Sequence, residues 1–364
     1  MGNIEDLILS LKNETPRLNT HYIGWNCTYL PIEIINAAGL MPSRILPEPF
    51  QGEGDSYLDA NFCPFIKNAI ASAVNGKYHR VEGIIFINTC DGMRRLFDAW
   101  RYYCKPNFSF MLDVPRIIGE GAIDYFEGQL QELIDAIKRE FNLQITDDAL
   151  LLAIDQTNRI SKLFKKLITF QGRGDPPLRH HHIVELMMLS YKTPRDIFIK
   201  ALERLIIELE SKPPTKTNGV KLMVIGSIQC SSELIRLIEK MGAEVIRSDF
   251  CTGGRILNEI EIENSPIRSL ADSYLSKTPC ARMNDSDIRL SQIQDAVRSN
   301  SIKGIIHVSM KFCDTYLYDI PRVKEALNEI KVPTLFLESE CSNQFGGRIR
   351  TRIQAFLEML DQYE

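Results

Sequence analysis

The sequence predicts an α/β protein of two Rossmann-like, doubly wound parallel-sheet domains, related by internal duplication and joined by a helical segment. Three observations predict it. The longest apolar runs, such as Val81–Asn88 and Val220–Ser227, are of strand length, and Val81–Asn88 reads as a strand buried on both faces. Strand and helix patterns alternate near each end of the chain, with a purely helical texture between them. The two ends also repeat: EGIIFINTCDGMRRLF (Glu82–Phe97) resembles KGIIHVSMKFCDTYLY (Lys303–Tyr318), NFSFMLDVP resembles VPTLFLESE, and GWNCTYLPIEIINAAGLMPSRI resembles GSIQCSSELIRLIEKMGAEVIR.

The elements follow in order. Tyr22–Trp25 is a short strand, and Pro31–Ala38 a helix closed by Gly39. Pro64–Val74 is helical, Val81–Asn88 a buried strand, Met93–Tyr103 a helix, and Phe108–Val114 a strand ended by Pro115. Helical spacing then covers Tyr125–Phe141, Asp147–Phe170 and Ile183–Lys212, with Thr146 or Asp147 as a cap and a turn-rich break at Gln171–Arg179. Beyond it, strands are expected at Val220–Gly226, Ala243–Arg247, Gly304–Met310 and Thr334–Leu337. Helices are expected at Ser231–Met241, Asp285–Arg298, Pro321–Ile330 and Arg348–Leu360. The domains expected from this are residues 1–122, a helical connector at 123–215, and residues 216–364.

Composition narrows the function classes. The 364 residues are 44% hydrophobic and 25% charged with a net charge of −4, which gives bulk electrostatics no reason to hold nucleic acid or a membrane surface. The apolar runs are too short to span a bilayer, and the acidic start lacks a signal-peptide pattern. Met1-Gly2 is a weak myristoylation hint. The expectation is a cytoplasmic protein. In a reducing compartment its nine cysteines are not a disulfide framework.

Their positions suggest ligands. Ligands of doubly wound sheets sit beyond the carboxyl ends of the strands, and Cys27, Cys90, Cys230 and Cys313 fall there. Cys63 precedes Pro64 at a helix start, where backbone N–H groups favour a thiolate. Cys251 lies in the loop Cys251-Thr252-Gly253-Gly254, whose glycines let a backbone approach a bulky group. Cys280 follows Pro279 in an irregular segment. Any one of these reads as a small buried residue; six together, Cys27, Cys63, Cys90, Cys251, Cys280 and Cys313, read as a ligand set. Cys104 reads as structural, Cys341 as a residue that lines the site, and Cys230 as a reserve ligand. Separated thiolates suit iron–sulfur clusters or zinc, and the paired C-x2-C spacing of structural zinc sites is absent. The run His180–His182 reads as a solvated loop patch. Glu33, Asp91 and Asp314 are candidates for proton relay, weighed against capping, and Arg94, Arg95 and Arg255 for anion or charge stabilisation.

At these residues the chain resembles the family of 2-hydroxyacyl-CoA dehydratase and benzoyl-CoA reductase subunits. IGWNCTYLPIEIINAAG, FCPFIK, NTCDGMRR, MKFCDTY and SNQFGGRIRTRIQAFLEML carry the resemblance. DFCTGGR (Asp249–Arg255) and LADSYLSKTPCARMNDSDIRL (Leu270–Leu290) make it similar to the double-cubane cluster proteins within that family. The resemblance implies one [4Fe-4S] cluster on Cys63, Cys90 and Cys313, or a sulfide-bridged double cubane [8Fe-9S] that adds Cys27, Cys251 and Cys280. It implies a reductase fed by a separate ATP-dependent [4Fe-4S] activator ATPase, and a homodimer. The alternatives it leaves open are a dehydratase subunit working by ketyl-radical dehydration and a non-catalytic electron carrier. No motif requires a coenzyme A site.

Overall fold

The computed structural model describes residues 4–14, 20–47, 53–215, 219–341 and 345–362. The Met1-Gly2 hint and Ser342–Gln344 of the C-terminal motif lie outside them. Two compact units form: Thr15–Lys162 with Asn258–Ser286, and Met1–Glu14 with Leu163–Leu257 and Asp287–Glu364. Each holds a four-stranded, all-parallel sheet, so the α/β class and the two Rossmann-like sheets stand as the sequence predicts.

The first unit, in order of sheet, runs through β1 (Tyr22–Trp25), α2 (Ile32–Ala37), β2 (Met41–Arg44), α3 (Pro64–Val74), β3 (Val81–Ile87), α4 (Asp91–Tyr103) and β4 (Phe108–Leu112); α1 (Ile4–Lys12) belongs to the other. Its strand order is β2-β1-β3-β4. Ile84–Ile87 are wholly buried, as a strand covered on both faces requires. Phe86 meets Phe97 and Trp100 of α4 edge-on at 5.7 Å. β2, which the sequence did not signal, is a four-residue edge strand containing Pro42, an allowed place for proline. The long helices α5 (Glu120–Phe141) and α6 (Asp147–Thr169) follow. Thr146 Oγ1 accepts the Ala149 amide at 3.2 Å, the expected cap.

The segment 183–212, expected as one helix, is two: α7 (His180–Leu189) and α8 (Arg195–Glu210). Pro194 is the residue before α8; a proline cannot continue the ladder behind it and pushes its predecessor out of helical geometry.

The second sheet contains β5 (Lys221–Gly226), β6 (Glu244–Asp249), β7 (Gly304–Met310) and β8 (Thr334–Ser339), in the order β6-β5-β7-β8. The order matches the first sheet strand for strand. Helices cover both faces. Leu222, Val224, Ile306 and Val308 pack with α9 (Glu233–Lys240) and α14 (Gly347–Asp361). Met223, Ile225 and Ile305 pack with α11 (Ser286–Ser299) and α13 (Ile320–Glu329). Alternate residues of β5 thus face opposite layers, the period of two of a strand. Two further helices, α10 (Pro266–Ser276) and the short α12 (Asp314–Leu317), lead up to Cys280 and away from Cys313. Among the described residues no helix is long and apolar enough to cross a membrane.

Candidate functional site

All six expected ligand cysteines are half-buried. Cys27, Cys63, Cys90 and Cys280 belong to the first unit, Cys251 and Cys313 to the second. Local chemistry explains their positions. Cys63 is the N-cap of α3, with Pro64 at the first helical position, where its missing N–H costs nothing. Cys90 is the N-cap of α4, just beyond β3. The two helix starts converge, since a Cβ on Gly92 would stand 3.3 Å from Ile66 Cγ1 and 3.5 Å from Phe62. Burial raises the Cys90 thiol above its ordinary range; the backbone amides of Met93 and Gly92 and the Thr89 hydroxyl pull it down, and Asp91 pushes it up. Cys104, read as structural, has its thiol raised by burial alone to about 11.

Cys27 and Cys280 share a buried aromatic neighbour, Tyr29, which is 1% exposed. The Cys280 amide donates to the Tyr29 hydroxyl at 3.4 Å. Lys277 Nζ lies 4.7 Å from the Tyr29 ring centroid and 4.5 Å from that of Tyr274, and donates to the Thr28 carbonyl. Arg282 Cζ sits 5.6 Å from the Tyr29 ring, while its Nη2 donates to the Val114 carbonyl at 2.8 Å and its Nη1 to that of Pro115 at 3.2 Å. Two cations against one ring are favourable contacts. Burial holds the Tyr29 phenol far above its usual range, and charge on Cys280 and Cys27 pushes the same way. Lys277, Arg282 and Tyr29 were not singled out from the sequence. The signal was present, because Lys277 and Arg282 flank Cys280 in the motif that carried it.

In the second unit Cys313 is the N-cap of α12, beyond β7, its amide donating to the Met310 carbonyl at 3.1 Å. β3 and β7 hold the same place in their sheets, and each leads into a cysteine that opens a helix. Cys251 lies beyond β6, with Arg255 Nη1 3.8 Å from its sulfur.

Cys230 and Cys341 are different. They form a disulfide, with Cα atoms 5.8 Å apart. This overturns the expectation that disulfides are absent, and while the bond stands neither sulfur is a ligand. Cys230 follows β5 and Cys341 follows β8; those strands flank β7, which brings the two thiols within bridging range.

The candidate proton carriers separate sharply. Glu33, in α2, is wholly buried: it accepts from Tyr274 Oη at 2.8 Å and from the Thr157 hydroxyl. Asp91 and Asp314 are exposed first residues of α4 and α12, and Asp91 Oδ1 is 3.7 Å from Arg95 Nε. Arg94 donates to Asn88 Oδ1 at 2.6 Å, and Arg95 pairs with Asp98 at 2.9 Å, both at the surface.

His180–His182 are not a solvated patch. They form the first turn of α7 and are buried, because carboxylates and polar groups reach in to meet them. His180 Nε2 meets Ser248 Oγ at 2.9 Å, and His181 Nδ1 meets Glu239. Potential ligand atoms of Glu5, His181 and His182 lie within 4.8 Å of one another. Hydrogen bonds account for that cluster: His182 Nδ1 accepts the Arg179 amide at 3.1 Å, so Nε2 carries the proton it shares with Glu5 at 3.0 Å. A protonated nitrogen has no lone pair for a metal.

The cysteine donors, by contrast, fit an iron–sulfur group: all are soft and half-buried, and all but Cys280, which lies in the irregular segment between α10 and α11, are sited just beyond strands or at helix starts. Residues 27–360, a span that includes all six, match the family model described as 2-hydroxyglutaryl-CoA dehydratase, D-component.

The chain belongs to that family.

Its relatives include the (R)-phenyllactyl-CoA dehydratase beta subunit of Clostridium sporogenes, 24% identical over 93% of this chain and 91% of the relative. A benzoyl-CoA reductase subunit of Thauera aromatica is 25% identical over 88% and 86%. The (R)-2-hydroxyglutaryl-CoA dehydratase beta subunit of Acidaminococcus fermentans is 22% identical over 93% and 92%. The D-component family is thus one of dehydratase and reductase subunits.

Proposed function

We propose that this chain is an iron–sulfur reductase that works as a homodimer, takes low-potential electrons from an ATP-dependent [4Fe-4S] activator ATPase, and reduces a small molecule. In this reading Cys27, Cys63, Cys90, Cys251, Cys280 and Cys313 bind a double-cubane [8Fe-9S] cluster. The observation that carries it is the recurrence of one device, a cysteine opening a helix at the carboxyl end of the third strand of each sheet. Four more thiols accompany it: Cys63 at the start of α3, Cys27 and Cys280 about Tyr29, and Cys251 beside Arg255. When bound, such a cluster supplies single electrons at low potential.

The chain's own residues then have distinct tasks. Lys277, Arg282 and Arg255 set positive charge close to the thiols, which offsets added electron density. Glu33 holds a buried carboxylate whose Oε2 takes the Tyr274 hydroxyl proton as a hydrogen bond, a protected store on the path of a proton. Asp91 and Asp314, exposed at helix starts, exchange protons with water.

The names of the relatives favour a second reading, a 2-hydroxyacyl-CoA dehydratase subunit with one [4Fe-4S] cluster on Cys63, Cys90 and Cys313. Anaerobic iron and sulfide analysis with EPR separates the two. The first reading expects about eight irons per chain and loss of half of them in both Cys251→Ala and Cys280→Ala; the second expects about four, unchanged in those variants. Protein that takes up no iron overturns both.

A further inference from the structure

The loop that carries Cys251 is folded back on its own strand. A Cβ on Gly254 would stand 2.3 Å from the Ser248 carbonyl oxygen, backbone that cannot swing aside, and one on Gly253 would crowd Ser248 Oγ at 2.6 Å and the Phe250 ring at 2.8 Å. The reversal brings the Arg255 side chain, 3% exposed, under the loop. Its Nε donates to Asp249 Oδ1 at 2.5 Å. Its Nη2 donates to the carbonyls of Asp249 at 2.7 Å and Gly226 at 3.1 Å, and lies 3.0 Å from Asp249 Oδ2. Its Nη1 reaches the Tyr316 hydroxyl and, at 3.8 Å, the Cys251 sulfur. One guanidinium therefore joins the ends of β5 and β6, the Cys251 loop, and the helix that Cys313 opens.

Resting on the cluster reading above, we propose that Arg255 is a positioning residue. It fixes the Cys251 loop and the Cys313 helix in one arrangement and holds a permanent positive charge against the Cys251 sulfur. The planar fork is needed for this. It offers five donors in fixed directions, and all three of its nitrogens are engaged; the three donors of a lysine ammonium cannot span the same acceptors. The surrounding charges are balanced without the sulfur: Asp249 lies between Arg255 and Arg289, and Arg289 in turn pairs with Asp319. A sulfur that carries negative charge, as cluster ligands do, completes the set of acceptors around Nη1.

The test compares wild type with Arg255→Gln, Arg255→Lys and Asp249→Asn, all purified and kept anaerobic. Iron content, the rate of iron loss to a chelator, the EPR spectrum and the midpoint potential are read for each. Losing the cation lowers the potential in Arg255→Gln; losing the balancing anion raises it in Asp249→Asn. Arg255→Lys keeps the charge but not the fork, so its potential stays nearer wild type while its iron is lost about 10-fold faster, the usual scale for a residue supporting a ligand. A residue that only braces the fold would lower thermal stability and leave the potential and EPR of loaded protein unchanged in all three variants; that result overturns the proposal. If Arg255→Gln does not fold, the remaining two still decide: a raised potential in Asp249→Asn and faster iron loss at a near-wild-type potential in Arg255→Lys. Wild-type protein without iron takes down the cluster reading, and this inference with it. A loaded wild type with unaltered variants takes down this inference alone.

Discussion

His180 and His307 are histidines whose surroundings refuse a proton. Burial lowers each from 6.5 to about 4; at His307 the cations Arg289 and Arg255 add to that, and at His180 Arg247 adds while Glu239 opposes. The unfolded chain binds protons that these imidazoles reject. Stability is therefore whole above pH 6.5 and is lost as the pH falls through the window from 6.5 toward about 4. Each histidine contributes a slope of up to about 1.4 kcal/mol per pH unit there. Urea unfolding at pH 7, 6 and 5 measures it; His180→Gln flattens the dependence by one proton's worth, and an unchanged slope would contradict the assignment. At this scale the sequence was partly legible. Most of the candidate cysteines could be picked out by their neighbours: Cys63 and Cys280 adjoin a proline, Cys90 and Cys313 an aspartate, and Cys251 stands two residues before Gly253. Burial of the histidine run could not, because Glu239, Ser248 and Glu5, which hold it, lie far away in the chain. The partner of Cys230 was hidden for the same reason.

The elements were legible where periodicity is long and failed where it is short. β3 and β7 announced themselves as apolar runs, while β2, four residues with a proline, did not. The break between α7 and α8 was readable from Pro194 alone, had the proline been weighed above the apolar spacing around it. Glycine substitutions test two elements in opposite directions. Gly226 ends β5 at φ +134°, and a Cβ there would stand 2.0 Å from the Val308 carbonyl oxygen. Gly226→Ala should cost more than about 3 kcal/mol, since the backbone of β7 cannot give way as a side chain can. Gly128 lies exposed within α5 with nothing within 4 Å of a new Cβ. Gly128→Ala should stabilise by about 0.5–1 kcal/mol. Denaturant midpoints of the two variants should move apart; a tolerated Gly226→Ala would mean that the end of β5 is not held as described.

For the whole molecule, the sequence repeat foretold two sheets of one kind, and their strand orders agree position by position. The repeat could be read because each copy keeps an apolar strand, a cysteine and a helix in the same succession. What it could not show is which thiols pair, since Cys27 and Cys230 are counterparts by sequence yet differ in chemistry: one neighbours Tyr29, the other is bonded to Cys341. Reducing that bond frees the unfolded chain, and for a loop of this size chain entropy puts the loss near 4–5 kcal/mol, about the most a single cross-link gives. Thermal melts with and without a thiol reductant measure it, with Cys341→Ser as the control that no longer responds. The bond also joins positions 111 apart in the chain, closing Cys230–Cys341 into a covalent ring that contains Cys251, Cys280 and Cys313. A protease that nicks this ring once releases nothing: both new ends stay tethered, and the cut becomes visible on a gel only after dithiothreitol is added.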